Sequence, residues 1–179
     1  MRSHTDPRRP LRLKGYDYSQ PGAYFITICT HERIPLFGEI IAHQMRPNSY
    51  GMIVTAVWNE LPDHYPNAAL DAFIVMPNHI HGIIILGDEA GKRYPLPEIA
   101  RGFKTFSARA INERRQTRTA PLWQRGYYEH VVRDEKALSG IREYIVNNPA
   151  RWSDDPDNPA VRGHSLQGGF ETRLYDPRL

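Results

Sequence analysis

The chain lacks several features that would each point to a different class of protein. It contains one cysteine, Cys29, so a disulfide within the chain is excluded and a reducing, cytoplasmic location is expected. No apolar run approaches the roughly 20 residues that cross a bilayer, and residues 1–14 lack the apolar stretch of a secretory signal. The sequence therefore predicts a soluble intracellular protein without membrane contact.

The excess of positive charge is also small, so its distribution is more informative than its total. The formal net charge is +3 and the sequence pI is about 9.1. Cations gather in residues 1–15, which are predicted to form a basic flexible arm, and again over residues 92–118. Such clusters suit a polyanion such as a nucleic acid, although a solvated helix face explains them equally well.

Turn residues and runs of β-branched or aromatic residues predict a series of strands. The predicted strands cover residues 24–30, 35–41, two runs within 73–86 hinged at Pro77-Asn78, and 122–133 with a break at Gly126. The run 35–41 is expected to return beside 24–30 as its hairpin partner. Strands that follow one another directly must form hairpins, so a mostly antiparallel sheet is expected.

Three helices are predicted between these strands, over residues 48–61, 96–115 and 134–148. Asp134 is expected to cap the last helix and Pro149 to end it. The middle helix is expected to bury one stripe of residues, namely Ile99, Phe103, Phe106, Ala110 and Ile111. The fold class predicted is therefore α+β, a single domain with helices packed on a central sheet.

The most apolar stretch, residues 73–86, contains two histidines. Side chains alternate along a strand, so His79 and His81 are expected to project from the same face. Neutral imidazole is a common metal ligand, and the pair could share one cation or one phosphate. Alternatively, the rings are ordinary strand residues that hydrogen-bond to neighbours. The apolar flanks favour a site, because polar rings buried there need partners.

A second pair, Tyr144 and Asn148, lies on the last predicted helix. Residues four apart occupy one helix face, so the two side chains are expected to lie one turn apart. A tyrosine oxygen can attack a phosphodiester, and an asparagine carbonyl can complete a metal site begun by histidines. The structural alternative is that the asparagine before Pro149 closes the helix and that the tyrosine only packs.

Together these motifs closely resemble the REP-associated tyrosine transposases, which belong to the single-tyrosine HUH transposases, named for histidine-hydrophobic-histidine. The motifs that carry the resemblance are Met76-Pro77-Asn78-His79-Ile80-His81, the block from Leu122 to His130, Tyr144-Ile145 and Asn148-Pro149. The likeness covers residues 16–152 and implies a catalytic domain there, followed by an irregular tail over 153–179. It also implies the HUH-transposase fold, a ferredoxin-like or RRM-like sandwich.

The resemblance implies a role for each residue of the two pairs. His79, His81 and Asn148 would hold Mg²⁺ or Mn²⁺, and Tyr144 would be the nucleophile that forms a 5′-phosphotyrosine. Some relatives carry glutamine where this chain has Asn148, and the shorter side chain requires a closer helix. The implied reaction cuts and rejoins single-stranded, hairpin-associated repetitive DNA, with the protein acting as a monomer or homodimer.

Further residues are predicted to contact DNA, either along its phosphate backbone or by stacking on bases. They are Arg101, Lys104, Arg109, Trp123, Arg125, Tyr127, Tyr128 and His130. Two other functions are compatible with the residues. One is a metal-dependent phosphodiesterase in which water attacks and Tyr144 is structural. The other is a non-catalytic module that binds single-stranded nucleic acid through its sheet and basic helix.

Overall fold

The computed structural model describes residues 15–88 and 92–162, which form an α+β fold. The strands are β1 (Gly22–Cys29), β2 (Gly38–Ile41), β3 (Gln44–Pro47), β4 (Ala68–Val75), β5 (His79–Leu86) and β6 (Tyr128–Val132). The helices are α1 (Ser49–Asn59), α2 (Leu61–His64), α3 (Leu96–Arg114), α4 (Glu135–Asn147) and α5 (Pro159–Arg162). Two 3₁₀ turns cover His31–Arg33 and Pro149–Asp154.

The central sheet is antiparallel and has the strand order β4-β5-β1-β6. The predicted hinge at Pro77-Asn78 is a tight turn between β4 and β5, closed by a hydrogen bond of 2.8 Å from the Met76 amide to the His79 carbonyl. Because β5 lies between β4 and β1, its backbone is paired on both sides. The histidine-bearing strand is therefore held rigidly inside the sheet.

Helices cover both faces of this sheet. On one face Trp58 of α1 stacks on Phe73 with the ring centroids 4.4 Å apart. This approach requires glycine at position 82, since a Cβ there would lie 2.5 Å from the Trp58 ring. On the opposite face, Ile141 and Ile145 of α4 pack with Phe25 and Ile83. That smaller cluster anchors α4 over the face from which the two histidines project.

Sequence reasoning was wrong about the partner of residues 35–41. The strand β2 pairs with β3, because both edges of β1 are taken by β5 and β6. The turn between β2 and β3 consists of Ala42 and His43, both with positive φ. Such turns usually carry asparagine or glycine, so the hairpin gave no sequence signal.

Most helix predictions are confirmed. The side chain of Asp134 caps α4 by accepting a hydrogen bond of 2.8 Å from the Ala137 amide. In the predicted stripe of α3, Ile99, Phe103 and Ile111 are buried and Ala110 is half-buried, but Phe106 is 39% exposed and lies against His64. Pro62 follows the end of α1 at Asn59 and lies in the first turn of α2, where proline is tolerated.

The predicted arm, except Gly15, and residues 163–179 of the predicted tail lie outside the described residues. Within the part of the chain that is described, no helix combines the length and hydropathy of a membrane span.

Candidate active site

The two histidines of β5 are both fully buried and lie on one face of the strand, as the alternation predicts. Their Nε2 atoms are 3.1 Å apart. The other ring nitrogens are bound by neighbours: Nδ1 of His79 is 2.9 Å from Oδ1 of Asn78, and Nδ1 of His81 is 2.8 Å from Oγ1 of Thr27. Both rings therefore direct Nε2 to a common point.

Burial keeps both rings neutral. Desolvation, the neighbouring His81 and the charge of Arg33 hold the pKa of His79 well below its usual value of 6.5. Desolvation lowers the pKa of His81 to about 3. A neutral imidazole offers a lone pair, which is the form that binds a metal ion. Both rings are consequently uncharged across the neutral pH range, as a metal ligand must be.

Tyr144 of α4 lies directly over this face of the sheet. Its ring centroid is 5.2 Å from that of His81 and 6.1 Å from that of Phe25. Burial, with a smaller contribution from Asp155, raises the pKa of Tyr144 to about 12, against the effect of a hydrogen bond with the Asn148 side chain. The phenol is therefore protonated at neutral pH unless positive charge is brought beside it.

Asn148 caps the C-terminal end of α4 and is 2% exposed. Its side-chain oxygen Oδ1 is buried and has no hydrogen-bond partner among the described residues. Leaving a buried acceptor without a partner costs about 1–3 kcal/mol, so this atom is a candidate ligand. One turn further on, the ring of Trp152 lies 6.0 Å from that of His79. The turn after α4 is thus packed against the histidine pair.

These donors fit a divalent cation. Among residues 15–88 and 92–162, no group of three or more His, Cys, Asp or Glu side chains is placed to hold a metal. On the helix above the same face of the sheet, Asn148 offers a buried oxygen that has no hydrogen-bond partner among the described residues. The Nε2 atoms, 3.1 Å apart, are also within hydrogen-bond distance of each other.

Several of the predicted DNA contacts line a separate groove of about 1100 Å³ between α3 and residues 120–127. Arg101, Lys104, Trp123, Arg125 and Tyr127 are among its lining residues. Tyr128 and His130 lie instead on β6, on the same face as the catalytic candidates, because Tyr128 pairs with Thr27 and Thr27 with His81. Arg109 is exposed on α3 and is not among the groove-lining residues.

Two of these predicted DNA contacts are engaged within the protein itself. Trp123 is only 7% exposed, packs against Phe37 and Phe103, and donates from Nε1 to the Ser107 hydroxyl, so it has no free face for a base. The Lys104 ammonium group donates to the carbonyls of Gln124 and Arg125. Burial lowers the pKa of Lys104. This lysine shapes the wall of the groove and is not displayed for phosphate contact.

Sequence reasoning missed the residues that hold the histidine rings. Asn78 belongs to the motif that carries the resemblance, but nothing in the sequence shows that its side chain turns to His79. Thr27 is one of several threonines, and only the pairing of β1 with β5 places it beside His81. Of these two residues, only Asn78 could have been noticed in the sequence, because a polar residue between apolar strands needs a hydrogen-bond partner.

Comparisons with known proteins agree with this geometry. The family described as Transposase IS200 like matches residues 23–148. An uncharacterized protein of Haemophilus influenzae is 38% identical over 164 residues, covering 83% of this chain and 91% of the relative. A second protein of that organism, named as a REP-associated tyrosine transposase, is 26% identical over 140 residues, covering 75% and 74%.

The fold has a counterpart among solved structures. A structure described as the REP-associated tyrosine transposase bound to a REP hairpin has a TM-score of 0.60 and 19% identity, covering 92% of this chain and 94% of the other. The likeness inferred from the motifs is thereby confirmed. The family match spans both strands of the histidine turn and ends at Asn148. This chain therefore belongs to the IS200-like transposases, and it is similar to their REP-associated tyrosine branch.

Proposed function

We propose that the protein is a metal-dependent endonuclease and strand transferase acting on single-stranded, hairpin-associated DNA through a 5′-phosphotyrosine. The observation that carries the proposal is the placement of the Tyr144 ring 5.2 Å from His81, beside the unpartnered oxygen of Asn148. Nucleophile and metal donors are thus in one cluster. The hairpin bound in the related solved structure supports the choice of DNA substrate.

Tyr144 is the attacking group in this reaction. Its phenolic oxygen forms a bond to the scissile phosphorus, the bond from phosphorus to the 3′ oxygen breaks, and the phenolic proton is lost while the departing 3′ oxygen gains one. Mg²⁺ or Mn²⁺ held by His79, His81 and Asn148 would supply positive charge that stabilises the phenolate and the negative charge that develops on the phosphate. A phosphodiester replaces a phosphodiester, so the 3′-hydroxyl of another strand can reverse the step without ATP.

We also propose that the flanking strand passes the edge strand β6 to reach the groove beside α3, which lies on the Trp58 side of the sheet. Tyr128, Thr27 and His81 are paired across three neighbouring strands, so Tyr128 lies about 10 Å from the histidines. The groove begins at the preceding residue, Tyr127. Arg101 and Arg125 are exposed along it and can follow the phosphates, while Tyr127 can stack on a base. Glu98, also in the lining, disfavours phosphate at that end.

The test is incubation with labelled single-stranded hairpin DNA and Mn²⁺, followed by denaturing electrophoresis. A covalent protein–DNA adduct is expected with the wild type and with Tyr50→Phe. It should be lost in Tyr144→Phe, and also in His79→Ala. Tyr50 is a matched control, because its ring contacts Arg115 on the other side of the molecule.

The same assay separates the alternatives. Cleavage that survives Tyr144→Phe and leaves ends without attached protein would support a phosphodiesterase that uses water. Binding without strand breaks, and without dependence on metal, would support a non-catalytic nucleic-acid module.

A further inference from the structure

The side chain of Asn78 connects three distant parts of the chain at the turn before β5. It is completely buried and makes three hydrogen bonds. Its Nδ2 donates to the carbonyl of Arg33 at 2.9 Å and to the carbonyl of Asp157 at 2.7 Å, while Oδ1 lies 2.9 Å from Nδ1 of His79. All polar atoms of this amide are therefore engaged.

The chemistry of these partners fixes the orientation of the amide. Two backbone carbonyls can only accept, so they must face the NH₂ group. The oxygen must then face His79, and because this oxygen only accepts, Nδ1 of His79 must carry the hydrogen. In a neutral imidazole the other nitrogen, Nε2, is left with its lone pair. That lone pair points toward His81 and the proposed metal position.

We propose that Asn78 is a positioning residue that fixes His79 as the tautomer able to bind metal. The inference rests on the proposed function, in which His79 is a metal ligand. It adds a residue to the site that contacts no metal or DNA and acts through the ring it orients. Outer partners of ligating histidines have this effect on metal affinity in other sites.

The amide is held in turn by a buried ion pair. The side chains of Arg33 and Asp157, whose carbonyls accept from Asn78, form a salt bridge with each other, and both are largely buried. The backbone of Asn78 is fixed as well, because the Thr30 amide donates to its carbonyl at 2.8 Å. Residues 155–157, well beyond the catalytic helix, therefore contribute to the orientation of a ring on the central sheet.

His81 provides an internal contrast. Its Nδ1 faces the hydroxyl of Thr27, which can either donate or accept. This partner is compatible with both tautomers of His81. His79 is preset by Asn78, and in metal-free protein Nε2 of His81, 3.1 Å away, must then carry the hydrogen that faces the lone pair of His79, so the two rings are expected to differ in the experiment below.

The first measurement is the tautomer of each ring in the full chain, with ¹⁵N-labelled histidine and metal removed by a chelator. Long-range ¹H–¹⁵N correlation spectra distinguish the two tautomers, and His79→Gln and His81→Gln assign the signals. His79 is expected to be protonated on Nδ1 in the wild type. Asn78→Leu, which removes the acceptor beside Nδ1, should allow protonation on Nε2. A wild-type His79 protonated on Nε2 would overturn the proposal, whether or not the variants fold.

The second measurement is Mn²⁺ affinity by titration calorimetry without DNA. Asn78→Leu is expected to bind Mn²⁺ about 10–100-fold more weakly than the wild type. Wild-type affinity in Asn78→Leu, with its fold verified by circular dichroism, would refute the positioning role. Absence of a tyrosine–DNA adduct, with the tautomer and Mn²⁺ affinity as expected, would count against the proposed reaction alone.

Discussion

The side chains of Asn148 and Tyr144 lie one turn apart at the end of α4 and are joined by a hydrogen bond, yet the oxygen of Asn148 has no partner among the described residues. The amide nitrogen of Asn148 therefore acts on Tyr144, and its oxygen is left as a buried acceptor without a partner. A buried acceptor left in this way lowers stability and is typical of a functional position.

This relationship predicts that Asn148→Leu separates stability from metal binding. In chelator the variant should unfold within about 1 kcal/mol of the wild type, because losing the hydrogen bond to Tyr144 is offset by removing an unsatisfied buried oxygen. Mn²⁺ should raise the unfolding temperature of the wild type but not that of the variant. Asn148→Gln, which retains an amide oxygen, is the control and should keep part of the shift. Equal stabilisation of Asn148→Leu by Mn²⁺ would remove this residue from the ligand set.

The histidine pair predicts a loss of stability in mild acid. The unfolded chain binds protons at these rings as the pH falls below about 6.5, whereas burial holds the pKa of folded His81 to about 3 and that of His79 well below 6.5. The free energy of unfolding of metal-free protein should therefore fall as the pH drops from 6.5, by up to about 1.4 kcal/mol per pH unit for each ring.

Urea unfolding at pH 7.5, 6.0 and 5.0 checks this expectation. The slope should be smaller in His81→Gln, which removes one of the two rings. An unchanged slope in His81→Gln would mean that this ring is not kept neutral by the fold.

The groove predicts a salt-dependent contribution to DNA binding. Arg101→Gln and Arg125→Gln should each weaken binding to single-stranded DNA several-fold and reduce the slope of log affinity against log salt by about 0.7, the value for one phosphate contact on a single strand. Fluorescence anisotropy from 50 to 300 mM salt measures both quantities. Arg114→Gln removes the same charge from the exposed C-terminal end of α3, outside the groove, and should leave the slope unchanged. Equal effects in all three variants would indicate non-specific attraction.

Local sequence patterns predicted what depends on local physics. The cap at Asp134, the helix over α3 and the shared face of His79 and His81 follow from hydrogen-bonding capacity and from periodicity. The pairing of β2 with β3 did not follow, because its turn lacks the usual residues. The burial of Trp123 and the contact of Asn78 with Asp157 depend on contacts between segments that are far apart in the sequence. A single sequence does not show directly which distant segments pack together.

The site is assembled from one chain: β5 supplies the histidines, and α4 with the turn after it supplies Tyr144 and Asn148. If cleavage uses this arrangement, a mixture of His79→Ala and Tyr144→Phe should form no adduct, because every chain lacks either a ligand or the nucleophile. An enzyme that pairs histidines of one protomer with the tyrosine of another would regain one intact site in every mixed dimer, which is about a quarter of wild-type sites when equal amounts exchange at random. Adduct formation measured across mixing ratios, after incubation long enough for subunits to exchange, distinguishes the two cases. Recovery of adduct formation that peaks at equal amounts would show that α4 is exchanged between protomers. We expect no recovery, because Ile141 and Ile145 anchor α4 to the sheet of its own chain.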